Sequence, residues 1–131
     1  MRLIWYVALG GAAGSVLRYG VGLAVQSRSG GNFPVGTLVV NLSGCLLLGF
    51  LIRYALATPA ITPEFRALLT VGLCGGYTTF STFSYETVAL IHDGDWGRAA
   101  LYVGLSVMGS LVSVALGIAA AHQVLNLRQT L

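Results

Sequence analysis

Residues 72–84 read GLCGGYTTFSTFS, a segment that is apolar enough for a membrane but poorly suited to a continuous helix. Two adjacent glycines, Gly75 and Gly76, are followed closely by two threonines, and both residue types have low helix propensity. A break at Gly75–Thr79 in mid-membrane frees backbone groups, which are tolerated there only where protein, ions or water satisfy them. Transporters and channels use such breaks as ion sites. The freed carbonyls therefore predict a site for a hard cation such as sodium.

The composition around this segment is that of an integral membrane protein. Of the 131 residues, 56% are hydrophobic and only 8% are charged, against roughly 25% charged in a typical globular domain. The mean hydropathy of +0.81 agrees with this reading. The seven basic residues are all arginines spread thinly along the chain, so they form no basic patch for nucleic acid. Soluble enzymes, nucleic-acid binders and disordered tails are excluded.

Four apolar segments are long enough to span a bilayer, which takes about 20 residues. They cover residues 3–25, 35–57, 65–91 and 96–125, and turn-forming residues separate them. Thr62 and Pro63 form a start signal for the third span, as N-cap and first helical residue. We predict an all-α membrane protein with a single four-helix transmembrane domain over 1–131, crossing the inner or plasma membrane several times.

The arginines give only a weak preference for one orientation in the membrane. Four spans put both termini on one side. That side carries Arg2, Arg53, Arg66 and Arg128, and the other carries Arg28 and Arg98, with Arg18 near the end of the first span. Since arginine asymmetry sets orientation, a chain so evenly balanced can insert both ways round. A simple topology with both termini inside stays open on these counts.

Polar side chains in the second and fourth spans fall on helix faces. Thr37 and Asn41 are four residues apart and so share a face. The fourth span has a stripe with spacings of 4, 4 and 3: Tyr102, Ser106, Ser110 and Ser113. A single serine often bonds its own i−4 carbonyl, whereas a continuous stripe either lines a polar path or joins helices.

Two phenylalanines follow the predicted break, and an acid follows them. Phe80 and Phe83 share a face, with Glu86 three residues further along. Ordinary apolar packing would explain an isolated pair. Hydroxyl residues interleave with them, which is unusual on a lipid-facing helix: Thr78, Thr79, Ser81, Thr82 and Ser84. Ionisable residues in a membrane mark function by default, although Glu86 and Arg18 could each also extend to the membrane surface. No catalytic constellation accompanies them, and we predict no enzyme.

Three motifs in this order resemble the Fluc (CrcB) family of microbial fluoride channels. They are GGAAGSVLRY at 10–19, GTLVVNLSG at 36–44 and GGYTTFSTF at 75–83, and the resemblance covers the whole four-span chain. It implies an antiparallel homodimer of dual-inserting subunits, with two pores and a sodium ion at the centre of the interface. It also implies a function, the passive export of fluoride, which enters cells as neutral HF and ionises inside.

The same resemblance implies roles for individual residues. By motif position, Gly75 and Thr78 would supply the backbone carbonyls for sodium. Phe80 and Phe83 would be the pore phenylalanines, and Asn41 the pore amide.

Further residues of the site follow from their motif positions or from the faces that they share. The polar track would consist of Tyr102, Ser106 and Ser110. Thr37 is expected in the pore beside Asn41, and the vestibule or supporting residues would be Arg18, Thr79, Ser81, Thr82 and Glu86.

Two other classes compete with this reading. A proton-coupled small multidrug exporter is also a short four-span dual-topology dimer, but it needs a membrane-embedded carboxylate in the first span. Residues 3–25 contain no acid. A non-transporting membrane scaffold would not explain a broken helix that is dense in hydroxyl groups.

Overall fold

The computed structural model describes residues 2–130, and within them the ordered elements are all helical. Three helices are long and apolar enough to cross a membrane. They are α1 (Arg2–Ser29), α2 (Val35–Leu56) and α6 (Trp96–Gln129). These helices correspond to the first, second and fourth predicted spans, so the prediction of an all-α membrane protein is confirmed.

The third predicted span is divided into four pieces. It begins with α3 (Pro63–Ala67), continues as a π-helical segment (Leu68–Cys74) and a short helix α4 (Gly75–Tyr77), and resumes as α5 (Phe80–His92). Within this span, the chain is non-helical only at positions 78–79. The break is thus confirmed but is narrower than the predicted Gly75–Thr79, since both glycines stay helical. The sequence analysis did not predict the π-helical turn.

Side-chain caps fix where the pieces of the third span begin. Thr62 precedes Pro63, and its hydroxyl accepts a hydrogen bond from the amide of Phe65 at 3.2 Å, as the start signal predicted. Thr79 has extended backbone angles (φ −150°, ψ 116°) and caps α5. Its hydroxyl accepts from the amide of Thr82 at 3.1 Å. The second cap restarts a helix in mid-span, which a run of hydroxyl residues makes possible.

Small residues let α1 lie directly on the divided span. A Cβ added at Gly76 would lie 2.6 Å from the carbonyl oxygen of Gly11, and one at Gly72 would lie 2.8 Å from that of Val7. On the α1 side, a Cβ at Gly14 would lie 2.8 Å from the amide nitrogen of Tyr77. Backbone-to-backbone contact of this kind is the small-xxx-small packing of membrane helices. It holds the segment next to the break in a fixed place.

The most extensive helix contact joins α2 and α6. It too depends on a close approach, because a Cβ at Gly117 would lie 2.8 Å from the amide nitrogen of Phe50. A buried cluster of Phe83, Leu90, Ala99 and Tyr102 ties α5 to α6. Large apolar side chains elsewhere are exposed along the helices, as expected of surfaces that face lipid or another subunit.

Candidate functional site

Asn41 closes the gap that the break leaves in the backbone hydrogen bonding. Its Oδ1 accepts from the amide of Thr79 at 2.8 Å, and its Nδ2 donates to the carbonyl of Thr79 at 3.0 Å. A carboxamide presents one acceptor and two donor hydrogens, so this reciprocal pair uses the acceptor and one hydrogen. The second Nδ2 hydrogen remains for another acceptor.

The two carbonyls predicted to hold sodium are those whose usual helical donors bond elsewhere. In an unbroken helix, the amide of Thr79 would bond the Gly75 carbonyl, but it donates to Asn41. Likewise the amide of Thr82 would bond the Thr78 carbonyl, but it donates to the Thr79 hydroxyl. Arg18 Nη1 donates to the Thr78 carbonyl at 3.4 Å, a weak contact.

Glu86 is turned into the bundle, where both of its oxygens accept hydrogen bonds. Thr37 Oγ1 donates to Oε1 at 2.8 Å, and the Tyr102 hydroxyl donates to Oε2 at 2.6 Å. The carboxyl of Glu86 is therefore directed toward α2 and α6. Three residues from α2, α5 and α6 that the sequence analysis assigned to the site are joined in one network.

Four aromatic rings form a row beside this network. The ring centroids are 5.5 Å apart for Phe80 and Phe83, 5.3 Å for Phe83 and Tyr102, and 5.6 Å for Tyr102 and Phe33. The two middle rings, Tyr102 and Phe83, are buried, whereas Phe80 at one end of the row is 78% exposed. The row therefore reaches the outer face of the bundle at Phe80.

The hydroxyl stripe of α6 lies along the same side. Tyr102 is fully buried, and Ser106 is 6% exposed. Within residues 2–130, the buried Ser106 hydroxyl has no hydrogen-bond partner. A cavity of about 380 Å³ includes Ser106 and Ser110 in its wall, together with Asn41 and both phenylalanines of the row. Ser113, the last member of the stripe, is half-buried and is not among the residues that line this cavity.

A second cavity, of about 570 Å³, lies on the other side of the break. Its wall includes Arg18, Thr37, Thr82 and Glu86, and Thr79 lines both cavities. Most of the predicted site residues thus line two cavities that share Thr79, whereas Gly75, Ser81 and Tyr102 line neither of them.

Some hydroxyl groups of the predicted set bond locally. Ser84 Oγ donates to the carbonyl of Phe80 at 2.9 Å, the i−4 pattern. Ser81 Oγ lies 3.3 Å from the Thr79 hydroxyl, and Ser81 is exposed. Sequence reasoning missed Gln26 and Phe33, which order the α1–α2 connection beside the site. The only signal was an aromatic residue and a proline directly before the Gly36 motif.

Comparisons with known proteins agree with the motifs. A family model described as CrcB-like protein, Camphor Resistance (CrcB), matches residues 5–118. A relative from Chlorobaculum tepidum, named fluoride-specific ion channel FluC, is 50% identical over 117 residues, which cover 89% of this chain and 92% of the relative. A relative of the same name from Shewanella oneidensis is 48% identical over 118 residues, covering 89% of this chain and 94% of its own. A third, from Acidobacterium capsulatum, is 40% identical over 124 residues, covering 95% and 98%. The chain belongs to the CrcB-like protein family.

Proposed function

We propose that this protein is a fluoride-selective channel that lowers cytoplasmic fluoride by passive export. A relative that is 50% identical over 89% of this chain carries the name fluoride-specific ion channel. The observation that carries the proposal is the cavity lined by α2, α5 and α6. There, an unpartnered buried hydroxyl of Ser106 and the rings of Phe80 and Phe83 line one wall.

The beginning of α5 favours an anion at this place. The helix starts at Phe80 in mid-span, directly after the Thr79 cap. A helix N-terminus carries a partial positive charge from its unpaired amides. In membrane transporters, half-helix N-termini point at anionic groups in the same way. The positive end of α5 lies beside the cavity because Phe80 is the first helical residue and also part of the cavity wall.

The residue types suit fluoride. Fluoride holds its water tightly, and its bare transfer to lipid would cost on the order of tens of kcal/mol. Hydroxyl donors such as Ser106, and the positive edges of aromatic rings, replace part of that water. Ring edges attract the ion without a full opposite charge, and conduction requires binding weak enough for exit.

We further propose that the channel is an antiparallel homodimer. Phe80 is 78% exposed on a single chain, and Leu111 in the same cavity wall is 62% exposed. A second copy would cover these apolar groups and complete the wall of the path. The weak arginine asymmetry supports dual insertion, which an antiparallel pair requires.

A structural sodium ion on the dimer axis is the third part of the proposal. The Gly75 and Thr78 carbonyls would hold it, two from each subunit. Both carbonyl oxygens suit a sodium ion as ligands, because the amides that would bond them in a continuous helix donate to other acceptors. Arg18 contacts the Thr78 carbonyl only weakly, at 3.4 Å, and a carbonyl oxygen has a second lone pair for another partner. When bound, the ion would join the two broken helices.

Purified protein in liposomes loaded with potassium fluoride tests the proposal. After addition of a potassium ionophore, a fluoride electrode should record rapid release, and chloride-loaded vesicles should stay near the background of protein-free vesicles. No pH gradient should be needed. Absence of fluoride release from a monodisperse preparation would contradict the proposal, and pH-driven exchange of a cationic drug would indicate the small multidrug exporter instead.

A further inference from the structure

The α1–α2 connection is held by one side chain, that of Gln26. Its Nε2 donates to the carbonyls of Gly31 at 3.0 Å and Phe33 at 3.1 Å. Its Oε1 accepts from the amide of Gly36 at 3.0 Å. The Phe33 carbonyl also accepts from the amide of Val35 at 2.8 Å. The Phe33 carbonyl is therefore held by two donors.

The connection held in this way places the Phe33 ring on Tyr102. The two centroids are 5.6 Å apart and the ring planes meet at 79°, an edge-to-face contact. This arrangement is the preferred geometry of an aromatic pair. Tyr102 is fully buried, and the Phe83 ring also contacts it, with the centroids 5.3 Å apart. Its ring thus contacts one residue of the site and one residue of the connection.

The orientation of Tyr102 has a direct consequence for the site, because its hydroxyl donates to Glu86 at 2.6 Å. We propose that Phe33 is a positioning residue, which holds the Tyr102 ring so that this hydroxyl meets the Glu86 carboxyl. Thr37 shares the same carboxyl, so the position of Glu86 in the wall of the larger cavity depends on the contact. The inference rests on the proposed function for its effect on conduction, whereas the contact itself is independent of it.

Plain packing is the competing explanation, and the chain offers a matched control for it. Phe50 is half-buried like Phe33. It also contacts a tyrosine, Tyr54, with centroids 5.6 Å apart, but in a stacked arrangement with an interplanar angle of 10°. Neither of these residues lines the two cavities. The variant Phe50→Leu therefore measures the effect of losing an aromatic pair on efflux while the contacts of Tyr102 stay intact.

The experiment combines a double-mutant cycle with a spectroscopic readout. Phe33→Leu, Tyr102→Phe and the double variant are compared by fluoride efflux from liposomes, with Phe50→Leu as the control. Residues that act through one another are non-additive, and contacting pairs commonly couple by factors of about 2 to 100. We expect Phe33→Leu to lower efflux about five-fold in the native background and to add less than about two-fold once the Tyr102 hydroxyl is absent.

The second readout needs no conduction. Tyrosine labelled with ¹³C at Cζ reports the hydrogen bond of its hydroxyl, and the Tyr102 resonance is identified by its absence from Tyr102→Phe. It should shift in Phe33→Leu and stay unchanged in Phe50→Leu. Should Phe33→Leu fail to form monodisperse protein, Gln26→Ala replaces it, since that change releases the Phe33 carbonyl and keeps the ring.

The outcomes separate the two claims. A native protein that releases no fluoride contradicts the proposed function, and the Tyr102 resonance still tests the contact. An unshifted resonance in Phe33→Leu, or the same fold-loss of efflux with and without the Tyr102 hydroxyl, refutes the positioning role.

Discussion

Replacing Gly76 by alanine should force α1 and the divided span apart. The added Cβ would lie 2.6 Å from the Gly11 carbonyl oxygen and 2.9 Å from the Gly11 Cα, whereas ordinary van der Waals contact begins at 3.4 Å. The atoms it meets belong to the backbone and cannot rotate away. The two backbones must therefore separate by about 0.8 Å, as in other overpacked interiors.

The expected loss has a stability part and a functional part. Overpacking of a tight contact costs about 1–3 kcal/mol, and the better helix propensity of alanine returns up to about 1 kcal/mol. The net destabilisation is then about 0–3 kcal/mol, and we expect a value near the middle of this range. Gly76 lies two residues before Thr78, so the displacement reaches the break directly. Fluoride efflux should consequently fall by about ten-fold or more, since displacements near 1 Å at a preorganised site have effects of this size.

Gly20 on α1 provides the control, because a Cβ at that position meets nothing within 4 Å. Gly20→Ala should keep native efflux and unfold at the native temperature or slightly above it. The assays are fluoride efflux from liposomes and thermal unfolding in detergent followed by size exclusion. If Gly76→Ala were as stable and as active as Gly20→Ala, the close contact would not position the break.

Three further predictions concern the path and the assembly. Asn41→Asp should reduce fluoride efflux to near background, because it replaces the donor to the Thr79 carbonyl by a second acceptor. Size exclusion should still show the dimer. Native efflux would remove Asn41 from the path. Phe80→Ile and Phe83→Ile should each lower fluoride efflux sharply. Phe83→Ile should lose more thermal stability, because Phe83 is 8% exposed and Phe80 is 78% exposed. Native-like efflux from both variants would mean that the two rings only pack. A tag on the C-terminus should be accessible from both sides of the membrane in intact and permeabilised cells, and labelling from one side alone would contradict dual insertion.

The sequence allowed the break to be predicted, but not its extent. Glycine and threonine have low helix propensity, which indicated an interruption somewhere in Gly75–Thr79. Its position depends on Asn41, which is 38 residues from Thr79 in the sequence and bonds that one backbone unit. A contact between distant positions overrides propensity, and therefore both glycines remain helical.

The network around Glu86 shows the same limit. Period and spacing indicated polar faces on α2 and α6, and they identified Thr37 and Tyr102 as members of those faces. They could not determine the direction of Glu86, because a long acidic side chain near a helix end can reach either water or the bundle. The rotation of α5 after the break decides this, and that rotation follows from the Thr79 cap and from the packing of Phe83 on Tyr102.

Phe33 could not be identified from the sequence as a site residue. It lies in a connection, where an aromatic residue before a proline has no periodic pattern to give it a face. Its contact with Tyr102 depends on the folded connection, which Gln26 holds through the Phe33 carbonyl.

The hydrogen bonds divide the site residues into those that satisfy the broken backbone and those whose polar groups stay available to an ion. Asn41 and Thr79 use most of their polar atoms in hydrogen bonds at the break itself. Each of these bonds satisfies a backbone group that would have no hydrogen-bond partner in lipid. Substitutions there should lower thermal stability as well as conduction, even where the dimer still forms. Ser106 differs, because its buried hydroxyl has no partner within residues 2–130 and lies in a cavity wall. A buried polar group without a partner costs free energy, and an anion that passes along this wall would satisfy it. Among the site residues, Ser106 is therefore the hydroxyl whose loss should affect the ion most and the fold least.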